Sequence, residues 1–277
     1  MSARSSKPRQ SAADRATTRL RQRILSGELP AGSALPGERE LSETLGVSRL
    51  TLRTALTRLE SEGLVRSSHG ASTRVQDFRA TGGLPLLSHL AEEKLARGEI
   101  PLSLLRDILE LRRLLAVEVL ALVAERGTRE DLNGLRAHLR LLREQEGDEL
   151  SFMALDLAFA RKVVLSTHNV ALSLLYNTVE RLVESNPLAR PAFLVNTDNA
   201  LVVYEKLLEL LDQRDVERVR SVSRTLLLRM DRRTLDKLDP SGALRQPSFD
   251  AADDALEADA SDGGPPRRGR AVSTEVS

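Results

Sequence analysis

The sequence predicts a mainly α-helical fold with one small β-hairpin in its front third. Three observations predict it. Leu, Ala, Glu and Arg dominate, while aromatics are 3% and Trp is absent, a balance that favours helix over sheet. Apolar residues recur at helical spacing through most of the chain. Only one stretch, LVRSSHGASTRVQDF, has the look of two short strands joined by a turn. At 277 residues, the chain has room for one large domain or two ordinary ones.

Taken in order, residues 1–12 are polar and are expected to be disordered. From Ala13 to Ser26 the apolar residues Ala16, Leu20 and Ile24 recur four apart, and Gly27 stops the helix. GELPAGSALPGE must be loop or short extended structure. ERELSETLG is a short helix closed by Gly46. Ser48 then caps a helix that carries Leu52, Ala55, Leu56 and Leu59 on one face and ends at Gly63. Two strands follow, around Leu64 to Ser67 and Thr73 to Gln76, with their turn at His69-Gly70. Three helices and a hairpin, over residues 13–78, are the order of a winged helix-turn-helix.

Residues 79–83 read as a linker. From 84 to 238 the chain is helical, in seven segments near 84–97, 101–125, 128–146, 149–167, 169–184, 196–213 and 215–237. Thr128 and Ser151 are the expected caps. Short polar breaks between segments imply an antiparallel α-helical bundle. Residues 239–277 mix Pro, Gly and charge blocks of both signs, and are expected to be a disordered tail.

The charge is uneven. Net charge is +1, yet residues 1–78 hold 13 Lys+Arg against 8 Asp+Glu, as expected of a nucleic-acid-binding head on a slightly acidic body. Without cysteine, disulfides and thiolate metal sites are excluded, and a cytoplasmic location is expected. No apolar run approaches the roughly 18 residues of a membrane span, and the basic N-terminus lacks the apolar core of a secretory signal. No nucleophile–base pair or Gly-rich phosphate loop is visible, so an enzyme is not expected.

A helix N-terminus entering the major groove needs donors on its first two turns. Ser48, Arg49, Thr51 and Arg53 supply them, and Arg39 on the preceding helix is suited to a phosphate or a base. His69 and Gly70 stand at the hairpin tip, where a wing approaches the minor groove.

ALPGERELSETLGVSRLTLRTALTRLESEGLV resembles the DNA-binding head of the GntR family of bacterial transcription regulators. HGASTRVQDFRATGGLPLLSHL is similar to the wing and linker of its FadR branch, the fatty-acid-responsive regulators. The resemblance implies DNA contacts at Arg39, Ser48, Arg49, Thr51, Arg53, His69 and Gly70. It also implies a homodimer on double-stranded DNA, because two-fold protein symmetry matches a pseudo-palindromic operator. Leu50 departs from the pattern. It stands where a small polar residue is expected, which implies an altered operator preference.

LDLAFARKVVLSTHNVALSLLYNTVERLV and VVYEKLLELLDQRDVERVRSV resemble helices of the family's effector domain. Many relatives of that architecture hold a divalent metal through an Asp and three His. Here Asp156 has the acidic position, but Ala160, Tyr204 and Leu226 replace the imidazoles, and His89, His138 and His168 stand elsewhere. The resemblance therefore implies no metal and no other cofactor, leaving Asp156 as a surface or polar-network residue. The metal-free FadR branch binds long-chain acyl-CoA, so an acyl thioester is the first candidate effector, with Arg112 and Tyr204 as the matching pocket residues. Two alternatives stay open: a regulator of the same family responding to an organic or sugar acid, and a helical adaptor that uses the winged helix for protein contacts.

Overall fold

The computed structural model describes residues 11–67, 72–145, 148–185 and 197–239. Of the stretches expected to be disordered, 1–12 and 239–277, residues 1–10 and 240–277 lie outside the described residues, whereas Ser11 and Ala12 open the first helix and Asp239 closes the last.

Helix α1 (Ala12–Leu25) starts one residue earlier than the periodicity predicts, because Ser11 caps it. The Ser11 Oγ accepts from the Asp14 N–H, and the Asp14 carboxylate accepts from the Ser11 N–H. Its buried face, Ala16, Thr17, Leu20 and Ile24, packs on the third helix. Helix α2 (Glu38–Leu45) ends at Gly46, whose φ of 66° is left-handed, and Ser48 caps α3 (Arg49–Ser61) by accepting from the Thr51 N–H at 3.1 Å. The tight turn between α2 and α3 follows from these two local choices.

Strands β1 (Val65–Arg66) and β2 (Arg74–Val75) pair antiparallel, Val65 opposite Val75 and Arg66 opposite Arg74. The Gly/Pro-rich segment joins them as an extended edge: the Leu35 N–H donates to the Thr73 carbonyl at 2.8 Å, and the Val75 N–H to the Ser33 carbonyl at 2.9 Å. The hairpin thus gains a third chain from a stretch whose Pro and Gly forbid helix. Leu20, Leu41, Leu52, Leu59, Leu64, Val65 and Val75 close the core of this head.

The junction differs from expectation. The segment read as a linker contains a one-turn helix, α4 (Phe78–Thr81), capped by Asp77 through the Arg79 N–H. The Thr81 hydroxyl donates to the Gly63 carbonyl at 2.7 Å, docking the turn on the end of α3. Helix α5 (Leu86–Ala96), assigned by its sequence to the body, packs against α1, and its first residue, Leu86, is buried in the head's core. The physical reason is distance: with α4 pinned to Gly63, the apolar LPLL run emerges beside the head core and covers it.

The body contains α6 (Leu102–Arg126), α7 (Arg129–Glu144), α8 (Glu149–Leu165), α9 (Val170–Ser185), α10 (Thr197–Gln213) and α11 (Val216–Leu238). Thr128 caps α7 in a reciprocal box with Asp131, as its position predicts. At α8 the cap differs: the Asp148 carboxylate accepts from the Ser151 N–H and hydroxyl, so Asp148 takes the role expected of Ser151. Helices α6 and α11 form the most extensive pair. The bundle core gathers Val117, Leu120, Val123, Leu135, Leu142, Phe152, Phe159, Leu211 and Val219. Among the described residues no helix is long and apolar enough to cross a membrane.

Candidate nucleic-acid interface and effector site

The buried stripe of α3 (Leu52, Ala55, Leu56, Leu59) fixes which residues its outer face presents. Arg49, Leu50, Arg53 and Thr54 are exposed there, and Arg39 is exposed on α2. The fold brings Arg39, Ser48, Arg49, Thr51 and Arg53 onto two adjoining helices, while His69 and Gly70 lie outside the described residues.

Two of the arginines are held by acids. The Arg53 Nε donates to the Glu38 carboxylate at 2.9 Å across the α2–α3 turn, and the Arg39 Nε donates to Glu43 at 3.2 Å along α2. Exposed pairs of this kind are worth at most about 1 kcal/mol, so each guanidinium can trade its carboxylate for a phosphate or base edge. Arg49 has no ion-pair partner among the described residues. The Ser48 and Thr51 hydroxyls lie 2.8 Å apart, so the cap also fixes two hydroxyls at the front of the helix. The nearby Arg58–Asp14 pair and the serine cap at α1 together hold the exposed Asp14 carboxyl down at about 2; the Ser11 hydroxyl is the largest cause.

Within the bundle, a polar cluster stands on the apolar core. The Tyr204 hydroxyl donates to Asp156 Oδ1 at 2.6 Å, and its ring stacks on Phe159 with centroids 4.7 Å apart. The His138 ring centroid lies 5.9 Å from that of Phe159, its Nε2 2.8 Å from the Leu155 carbonyl. Burial pushes the Asp156 carboxyl up, against the pull of Tyr204, Arg112 and His138. Burial and the neighbouring Asp156 charge push the Tyr204 phenol well above its ordinary value. Of the two roles open to Asp156, the structure shows the polar network.

Arg112 has a second task. Arg112 and Arg113 each donate to one oxygen of Asp231 at 2.6 Å, and the Asp231 side chain is only 4% exposed. Burial raises the Asp231 carboxyl, and the two guanidiniums oppose it. Arg112 therefore lies between a structural carboxylate and the Asp156–Tyr204 pair. Sequence reasoning missed Asp231. The signal was present: it falls four residues after Leu227, on the stripe Val219, Ser223, Leu227, Met230, Thr234 that α11 buries. Among the described residues no three His, Asp or Glu side chains gather as a metal site.

Two family models match this chain: bacterial regulatory proteins of the gntR family over residues 12–75, and the FCD domain over residues 107–229. The HTH-type transcriptional regulator Mce2R of Mycobacterium tuberculosis (strain CDC 1551 / Oshkosh) is 42% identical over 154 residues, 56% of this chain and 62% of its own length. That match spans less than two thirds of the relative. The fatty acid metabolism regulator protein of Yersinia pestis (strain Pestoides F) is 33% identical over 209 residues, covering 73% of this chain and 82% of its own. Among solved structures, a GntR family member from Pseudomonas syringae pv. tomato str. DC3000 is 26% identical and covers 83% of this chain and 88% of that one. Its TM-score is 0.41, a superposition too loose for residue-level use.

Proposed function

Since this chain belongs to the GntR family of bacterial regulatory proteins, we propose that it is a sequence-specific DNA-binding transcription regulator, tuned by a small molecule held in its helical body. The observation that carries the reading is the outer face of α3, where Arg49 and Arg53 flank the capped N-terminus of the helix. Arg49 and Arg53 read base edges, Arg39, Ser48 and Thr51 position the phosphates, and His69 and Gly70 serve the wing. Two copies bind a pseudo-palindromic operator in the cytoplasm as a homodimer.

The effector is an acyl thioester of the long-chain acyl-CoA class, supported by the relative named for fatty acid metabolism and by the Arg112–Tyr204–Asp156 cluster. Its anionic groups compete with Asp231 for Arg112. A path to the head exists: Arg112 rides on α6, α6 follows α5 through a short turn, and α5 inserts Leu86 into the head core. An open polar groove of about 540 Å³ runs between α1 and α5, lined in part by Arg19, Arg23, Glu93 and Arg97. The ligand shifts the heads only by its differential affinity for the two arrangements.

Arg49→Ala is expected to lose roughly 1–3 kcal/mol of operator binding and to relax base preference at one position. Fluorescence anisotropy on specific and random duplexes checks it; equal loss on both would make Arg49 a phosphate anchor, and no salt-sensitive DNA affinity in the parent protein would favour the adaptor. For the effector, acyl-CoAs of increasing chain length should raise the melting temperature and release DNA. Stabilisation by organic or sugar acids instead would replace the lipid reading while leaving the regulator intact.

A further inference from the structure

On the DNA-reading face assigned above, we infer that Leu50 recognises the C5-methyl group of a thymine in the major groove, fixing one T·A pair in each half-site. The inference rests on the regulator reading and extends it to a base. Leu50 is the second residue of α3 and is 77% exposed, the highest value of any large apolar side chain among the described residues. At about 100° per residue it stands roughly 160° around the helix from Leu52, opposite the buried stripe. Arg53, Thr54 and Thr57 are exposed on the same outward side, and Arg49 precedes it.

The surroundings are otherwise polar. The Ser48 and Thr51 hydroxyls are bonded to each other, and Arg53 is drawn toward Glu38. A four-carbon apolar side chain therefore projects from the centre of a face whose other groups donate hydrogen bonds. Leaving it in water forgoes the gain of burying it. The major groove offers one apolar recognition element, the thymine methyl. Against guanine, Leu50 would cover the O6 and N7 acceptors without a donor; against cytosine, it would cover the N4 amino group without an acceptor. Both attraction to T·A and rejection of G·C follow from the same side chain.

The test uses the full-length protein. Operators are enriched from a random duplex pool, and each thymine of the enriched site is then replaced singly by deoxyuridine, which lacks only the methyl. The parent protein should lose about fourfold in affinity at one thymine of each half-site, the worth of burying one methyl group. Leu50→Ala should bind the thymine and uracil duplexes equally at that position; its fold is not at risk, because Leu50 packs on nothing in the head core. A clear operator with no uracil penalty that Leu50→Ala abolishes would overturn this inference alone. Failure to enrich any sequence would overturn the regulator reading, and this inference with it.

Discussion

Replacing Asp231 by alanine is expected to destabilise the helical body by about 3–5 kcal/mol, the loss that follows when one side of a buried ion pair is removed. The carboxylate is 4% exposed and accepts from two guanidiniums at 2.6 Å, Arg112 at one oxygen and Arg113 at the other. It sits at the contact of α6 with α11, the most extensive helix pair of the bundle. Without it, Arg112 and Arg113 lose the buried carboxylate that they share. Chemical denaturation followed by far-UV circular dichroism checks the loss. Asp231→Asn keeps the volume and separates charge from packing: a variant as stable as the parent would show that the carboxylate is not what joins the two helices. The substitution also removes one carboxylate that competes for Arg112, so a fully folded Asp231→Asn protein should bind an anionic effector more tightly than the parent does.

Gly63→Ala is expected to cost the head about 2–5 kcal/mol. Gly63 has φ of +77°, and an added Cβ would stand 2.2 Å from the Thr81 carbonyl oxygen. The left-handed backbone alone costs about 1–2 kcal/mol in a residue with a Cβ, and the overlap with backbone cannot be relieved by turning a side chain. Either α4 leaves the end of α3, breaking the Thr81–Gly63 bond, or the turn into β1 distorts. A thermal scan should show a head transition lowered by roughly 10–20 °C, with the bundle's transition in place. A shift of under a few degrees would mean that α4 does not bear on the head. Because α4 leads directly into α5, the same variant should weaken any coupling of effector to DNA affinity, which a titration of the DNA-bound protein would measure.

The two substitutions differ in how their sites could be found. Gly63 was legible as a helix stop, since a glycine after an amphipathic stretch is a local signal. That it also receives a linker helix was not, because α4 is four residues long and depends on the Asp77 cap and on docking. The surface of α3 was legible in full: Ser48 at the cap and the spacing of Leu52, Ala55, Leu56 and Leu59 decide which residues face outward. The Arg53–Glu38 pair was not legible, because it crosses the α2–α3 turn, whereas Glu43 stands at i+4 from Arg39, at helical pairing distance. In the body, Tyr204 and Arg112 are indicated by resemblance, whereas Asp231 is not, because a lone acidic residue among arginines reads as surface.

What the sequence by itself determined are the long helices, the caps Ser48 and Thr128, the hairpin strands and the outward face of the reading helix. These depend on periodicity, capping and turn chemistry, all acting within a few residues. Only the tertiary structure decided that Asp231 bonds arginines 118 and 119 residues away, that Tyr204 and Asp156 meet across 48 residues, and that Leu86 belongs to the head's core. The physical reason is desolvation. Whether a charge is solvated or buried, and whether an apolar residue covers one core or another, is set by which surfaces the packed helices remove from water.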